Sequence, residues 1–106
     1  MNKIRVIELF AGVGGFRLGL EGWEGKSPLS GYEKPIKSNY EVVWSNQWEP
    51  LTPNNQHANT VYKKRWPKAN HSGNNIEEVI EKDFDTIREI NFDLLVGGFP
   101  CQDYSV

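Results

Sequence analysis

The sequence predicts an α/β domain built on an open, mostly parallel sheet with flanking helices. Two observations carry that reading. Short, apolar, β-branched runs recur at residues 4–10, 40–45 and 92–96, and segments with helical apolar spacing lie between them. The resulting order of strand, helix, strand, helix, helix, strand is the rhythm of a parallel sheet with crossover helices.

The first run, Ile4-Arg5-Val6-Ile7-Glu8-Leu9-Phe10, reads as a buried strand and ends in the turn Gly12-Val13-Gly14-Gly15. Phe16, Gly19, Leu20 and Trp23 then fall at i, i+3, i+4 and i+7, which predicts one inward face of a helix. Residues 24–39 mix Gly, Pro, Ser and Lys without period and read as a loop. Residues 40–45 form the second predicted strand. Thr52-Pro53-Asn54 marks an expected helix start, with Ala58, Val61, Tyr62 and Trp66 facing inward and Pro67 as the stop. Asn75 opens a third helical pattern through Ile76, Val79, Ile80, Phe84, Ile87 and Ile90. Asn75 with Glu78 three residues on resembles a capping box, and Asp83 is a candidate break. Residues 92–96 form the last predicted strand.

Composition narrows the function classes. With 106 residues the chain is at most one small domain, and 13 aromatics (four of them Trp) argue against disorder. The net charge of −2 gives no overall basic footprint; Lys63-Lys64-Arg65 with Lys68 is a local cluster that reads as a solvated helix face. Cys101 is the single cysteine, so no internal disulfide is expected and a reducing, cytoplasmic compartment fits. No apolar run approaches the ~20 residues of a membrane helix. His57 and His71 stand apart from Cys101 in the chain, and no metal site is expected.

Parallel sheets bind ligands beyond the carboxyl ends of their strands. Three segments stand there. Phe10-Ala11-Gly12-Val13-Gly14-Gly15 allows a sharp turn and close approach of a ligand, although Arg17 stands where a dinucleotide fingerprint needs its third glycine. Ser45-Asn46-Gln47-Trp48-Glu49 offers Gln47 or Glu49 for a ribose hydroxyl and the Trp48 ring for a purine; a polar loop with Trp48 in the core is the structural alternative. Gly97-Gly98-Phe99-Pro100-Cys101-Gln102 puts the lone thiol in a loop at the functional edge, a context that favours a nucleophile.

Taken together, these segments resemble a known family. Residues 8–20, ELFAGVGGFRLGL, resemble the first motif of DNA (cytosine-5) methyltransferases, and Gly98-Phe99-Pro100-Cys101-Gln102 resembles their catalytic Pro-Cys-Gln motif, with Ser45-Asn46-Gln47-Trp48 between them in the right order. The resemblance spans the chain but only the N-terminal part of the family's catalytic domain. It implies a partial Rossmann-like methyltransferase fold, incomplete at its C-terminus, over residues 1–106, with no target-recognition domain. The implied cofactor is S-adenosyl-L-methionine, cradled by Phe10, Ala11, Gly12, Gly14 and Gly15, with Trp48 near the adenine, Asn75 and Ile76 at its edge, and Phe99 and Pro100 beside it. Cys101 is the implied nucleophile, Pro100 and Gln102 its positioning neighbours, and Ser105 a DNA contact.

The implied chemistry explains a lone thiol. A thiolate adding to C6 of cytosine makes C5 nucleophilic enough to accept a methyl group, and the base must leave the duplex stack for the thiolate to reach it. Two positions depart from the family pattern. Gln47 stands where the family's ribose-holding acid falls, leaving Gln47 or Glu49 for that role, and Asn75 replaces an acid at the adenine contact. The Glu-Asn-Val glutamate, an arginine motif and a target-recognition domain are not in these residues. The expected partners are therefore DNA and either a second chain or a C-terminal part, and the isolated chain is expected to be inactive. An S-adenosylmethionine-binding module without catalysis is the alternative. An exposed apolar surface is expected beside the last strand.

Overall fold

The computed structural model describes residues 2–36 and 38–98. Its elements are β1 (Ile4–Leu9), α1 (Gly15–Leu20), β2 (Tyr40–Asn46), α2 (His57–Arg65), β3 (His71–Ser72), α3 (Ile76–Arg88) and β4 (Leu94–Gly97). The four strands form one sheet in the order β3-β2-β1-β4, and every pairing is parallel. The sheet thus grows from β1 outward through β2 to β3, then returns to add β4 on the other side of β1. This is a topological switch point, and the crevice beyond it is where such sheets take ligands.

β1 is covered on both faces, and the period of two assigns each residue its layer. Ile7 packs with Trp44 of β2 and Val79 of α3, and Ile76, Ile87 and Ile90 close around them. On the opposite face Ala11, Tyr62 and Trp66 form a second cluster with Leu18 and Trp23. Val6 is fully buried and Ile7 nearly so, each contributing about 1.5–3 kcal/mol by leaving water. β1 pairs with β2 at Val6↔Val42 and Ile7↔Trp44, so a bulge lies between Val6 and Ile7.

Several elements differ from the sequence expectation. α1 ends at Leu20 and does not reach Trp23: Gly22 adopts φ 99° and donates its N–H back to the Arg17 carbonyl at 3.2 Å, the left-handed ending that glycine permits. The predicted face of α1 is also rotated. Arg17 is the buried residue, whereas Phe16 is half-exposed and Gly19 is exposed. Arg17 tolerates burial because Glu21 and the Tyr62 hydroxyl accept from its guanidinium, at 3.1 and 3.2 Å, and the Tyr62 and Trp66 rings flank it.

α2 begins at His57, not near Thr52, because residues 50–54 are taken up in turns in which Thr52 bonds Asn55 through both its hydroxyl and its carbonyl. Its inward face is Asn59 and Tyr62, with Ala58 and Val61 only half-buried. β3 was not expected; two residues without a β-branched run leave no sequence pattern. α3 does start behind Asn75, whose side chain accepts from the Glu77 N–H at 3.0 Å, a cap worth about 1 kcal/mol. It is kinked at Asp83 (φ −121°, ψ 17°). Ile80, before the kink, and Phe84, just past it, lie half-exposed while Ile76, Val79 and Ile87 pack. β4 is an edge strand among the described residues, with Leu95 56% exposed and Phe92 just before it 42% exposed.

Candidate functional site

The carboxyl ends of β1, β2 and β4 converge on one cleft of about 460 Å³. Six of the residues singled out in the sequence line it: Phe10, Gln47, Trp48, Glu49, Asn75 and Ile76. Asn46, Pro50, Glu77 and Gly98 complete the wall. A second cleft of about 410 Å³ shares Phe10 and Gly98 and continues along Ala11, Gly15 and Phe16. Together they run from the end of β2, across β1, to the start of α1.

The cleft walls are fixed by backbone hydrogen bonds that the strand ends leave over. Ala11 N–H donates to the Asn46 carbonyl at 3.1 Å, and Gly12 N–H donates to Gln47 Oε1 at 2.7 Å. The turn after β1 is therefore tied to the end of β2 at two points. Phe10 sits at φ 51°, a left-handed conformation that costs a non-glycine residue about 1–2 kcal/mol and concentrates at functional sites. Asn46 gathers the far wall. Its amide donates to the carbonyls of Ser72 and Asn74 and to the Ser72 hydroxyl, at 2.8–3.3 Å, which sets the entry to α3 and hence Asn75 and Ile76. Asn75 is both helix cap and cleft wall. Gln56 holds the Glu49 backbone, accepting from its N–H at 2.8 Å and donating to its carbonyl at 3.0 Å.

Gly12 and Gly14 line neither cleft. Gly14 caps α1 at φ 94°, and a Cβ there would lie 2.2 Å from the Trp66 ring. Its role in the structure is close packing of the turn on α2. Phe99, Pro100, Cys101, Gln102 and Ser105 lie outside the described residues.

Beneath the turn lies a buried polar network that the sequence reading missed. Glu8 is fully buried on β1; its Oε1 accepts from the Tyr62 hydroxyl at 2.9 Å and its Oε2 from the Arg17 N–H at 3.3 Å. Burial pushes the Glu8 carboxyl above its usual range, against the opposing pull of the Tyr62 hydroxyl and Arg17. Burial likewise raises the Tyr62 phenol, helped by the Glu8 charge. The Tyr62 ring stacks on His71 at 4.1 Å. His71 Nε2 meets Asn59 Oδ1 at 2.5 Å and Nδ1 meets Ser45 Oγ at 2.7 Å. Asn59 Nδ2 is spent on the Gln47 carbonyl, so Oδ1 must accept and the neutral Nε2–H tautomer satisfies both contacts. Burial, with Lys63 and Arg17 nearby, lowers His71 to about 4. The one available signal for this network was Glu8, a carboxylate inside the apolar run Val6-Ile7-Glu8-Leu9. Groups of His, Cys, Asp and Glu suited to a metal ion do not occur among the described residues.

The family is established by comparison. Residues 4–106 match the family model for C-5 cytosine-specific DNA methylases, and the chain belongs to that family. It is 44% identical over 106 residues to the type II methyltransferase M.Sau3AI of Staphylococcus aureus, covering 100% of this chain and 22% of that protein. It is 35% identical to M.HgiCII of Herpetosiphon aurantiacus and 33% identical to M.HhaI of Haemophilus parahaemolyticus, again across the whole chain but over 18% and 24% of those proteins. The chain thus spans about a fifth of the length of the curated relatives it matches. No solved structure matches the chain significantly. The all-parallel sheet with helices on both faces is consistent with part of a Rossmann-like methyltransferase fold. Among the described residues no helix is long and apolar enough to cross a membrane.

Proposed function

We propose that this chain is the cofactor-binding part of a DNA (cytosine-5-)-methyltransferase of restriction–modification type and that its cleft holds S-adenosyl-L-methionine. The observation that carries the proposal is the convergence of Phe10, Gln47, Trp48, Glu49, Asn75 and Ile76 on one cleft at the switch point of the sheet. The residues fit such a group. The cleft is of a size that takes small molecules. It brings an indole together with amide and carboxylate groups, which suit a purine nucleoside, and among the described residues its lining includes no lysine or arginine that would favour a phosphate. The adjoining cleft at Ala11 and Gly15 supplies room for the amino-acid end.

Within this reading Trp48 stacks on the adenine, Asn75 and Ile76 bound its edge, and Phe10, Ala11 and Gly15 carry the remainder. The bound cofactor supplies the methyl group. The resemblance assigns Cys101 as the thiolate that adds to C6 of a flipped-out cytosine, with Pro100 and Gln102 positioning it and Ser105 on the DNA. A free thiol has a pKa of about 8.5, so the proposed addition requires a group that takes its proton.

The test of the reaction is covalent trapping by the full-length protein that carries this chain. With S-adenosylmethionine and DNA containing 5-fluorocytosine, the fluorine blocks the elimination that would release the enzyme. A complex stable to denaturing electrophoresis is expected, and Cys101→Ser should abolish it. Trapping that survives in Cys101→Ser, or none in the parent, overturns the assignment.

A further inference from the structure

Gln47 and Glu49 both line the cleft and sit two residues apart where the chain leaves β2, yet their side chains are committed differently. The Gln47 amide oxygen accepts from the Gly12 N–H at 2.7 Å. The Gln47 backbone is held as well, its N–H by the Ser72 carbonyl at 3.0 Å and its carbonyl by Asn59 Nδ2 at 2.7 Å. With its oxygen engaged, the amide has mainly N–H donors left for the cleft. A ribose diol bound as a hydrogen-bond donor needs an acceptor, and a carboxylate is the strongest one available. Among the described residues the hydrogen bond to the Glu49 carboxylate is a single one, from the Leu51 N–H to Oε1 at 3.0 Å, which leaves acceptor capacity on both oxygens. Gln56 fixes the Glu49 backbone from both sides.

We infer that the two residues divide the work: Gln47 is a positioning residue that struts the glycine turn through Gly12, and Glu49 is the residue that accepts from the ribose hydroxyls of the cofactor. This rests on the cofactor reading above. It also gives the neutral Gln47 a purpose. A carboxylate here would add a second charge beside Glu49, whereas the amide holds the turn without repelling it.

The inference separates two effects that one substitution would confuse, and two probes resolve them in the full chain. S-adenosylhomocysteine and its 2′,3′-dideoxy analogue are titrated calorimetrically against the parent, Glu49→Gln and Gln47→Leu. Amide hydrogen exchange at Gly12 is measured without ligand. Glu49→Gln should weaken S-adenosylhomocysteine about tenfold or more and the dideoxy analogue less than twofold. Gln47→Leu should weaken both probes by the same factor and speed Gly12 exchange at least tenfold. The inference is overturned if Gln47→Leu spares the dideoxy analogue, which would put the ribose on Gln47, or if Glu49→Gln leaves S-adenosylhomocysteine unchanged. Unaltered Gly12 exchange in Gln47→Leu overturns the strut. A parent that binds neither probe instead removes the cofactor reading and the Glu49 role with it, while the Gly12 exchange still decides the strut.

Discussion

Replacing Gly14 by alanine should cost this fold a large share of its stability, and the cost has two separable sources. Gly14 sits at φ 94° and ψ 36°, a left-handed conformation that penalises an L-residue by about 1–2 kcal/mol. The new Cβ would also lie 2.2 Å from one atom of the Trp66 ring, 2.7 Å from a second and 3.2 Å from Tyr62. Trp66 has little freedom to yield. Its indole N–H donates to the Gly22 carbonyl at 3.0 Å, and the ring is buried against Tyr62 and Arg17. Overpacking of this kind costs about 1–3 kcal/mol. The sum is about 2–5 kcal/mol out of a total of about 5–15 for a typical domain. For a domain near 100 residues each kcal/mol is worth about 4–8 °C, so Tm should fall by at least about 8 °C. Thermal unfolding followed by circular dichroism reads it directly. Gly19→Ala is the internal control: Gly19 lies inside α1 with nothing within 4 Å of its Cβ position, and alanine there should stabilise by about 0.5–1 kcal/mol. A Gly14→Ala protein melting within about 2 °C of the parent would refute the packing of the turn on α2.

Three further outcomes are expected. Tyr62→Phe removes the hydroxyl that donates to Glu8 Oε1 and accepts from Arg17; leaving those buried groups short of a partner should cost about 1–3 kcal/mol in urea unfolding. His71 is held at about 4 in the fold against about 6.5 in an unfolded chain, so the unfolded state binds more protons between those values. Stability should therefore fall as pH drops from about 6.5 to about 4, and His71→Gln should flatten that part of the profile. Glu8 acts in the opposite sense, since its raised carboxyl favours the fold at low pH and loses that contribution as pH rises through its folded value. Finally, Leu95 and Phe92 expose apolar surface on and beside β4, the edge strand among the described residues, and such edges invite pairing. Sedimentation velocity should show concentration-dependent association that Leu95→Lys reduces; a clean monomer for the parent at high concentration would contradict this.

The strands were legible because their signal is local. β1, β2 and β4 are short apolar runs bounded by glycine or polar turns, and their parallel arrangement follows from the helices between them. The cleft was legible because a parallel sheet gathers its strand ends, so residues 10, 47–49 and 75–76, far apart in sequence, had to converge. What stayed hidden depends on partners distant in the chain. Arg17 reads as a surface residue until Tyr62, Glu21 and Trp66 surround it, which rotates the inward face of α1 away from Phe16 and Gly19. Periodicity cannot weigh a charge-paired arginine against a phenylalanine. β3 exists because Ser45 and Asn46 pair with His71 and Ser72, not because of any pattern in those two residues. Ile80 and Phe84 lie half-exposed although the apolar period places them inward, and the kink at Asp83 could be suspected from the sequence but its direction could not.

The most direct test of the central claim is calorimetric titration of the full chain with S-adenosylhomocysteine, with Trp48→Ala alongside. Saturable one-to-one binding is expected, weakened about tenfold or more by Trp48→Ala, since Trp48 lines the cleft. A folded chain that shows no binding, or binding indifferent to Trp48, would contradict the assignment of this cleft to the cofactor.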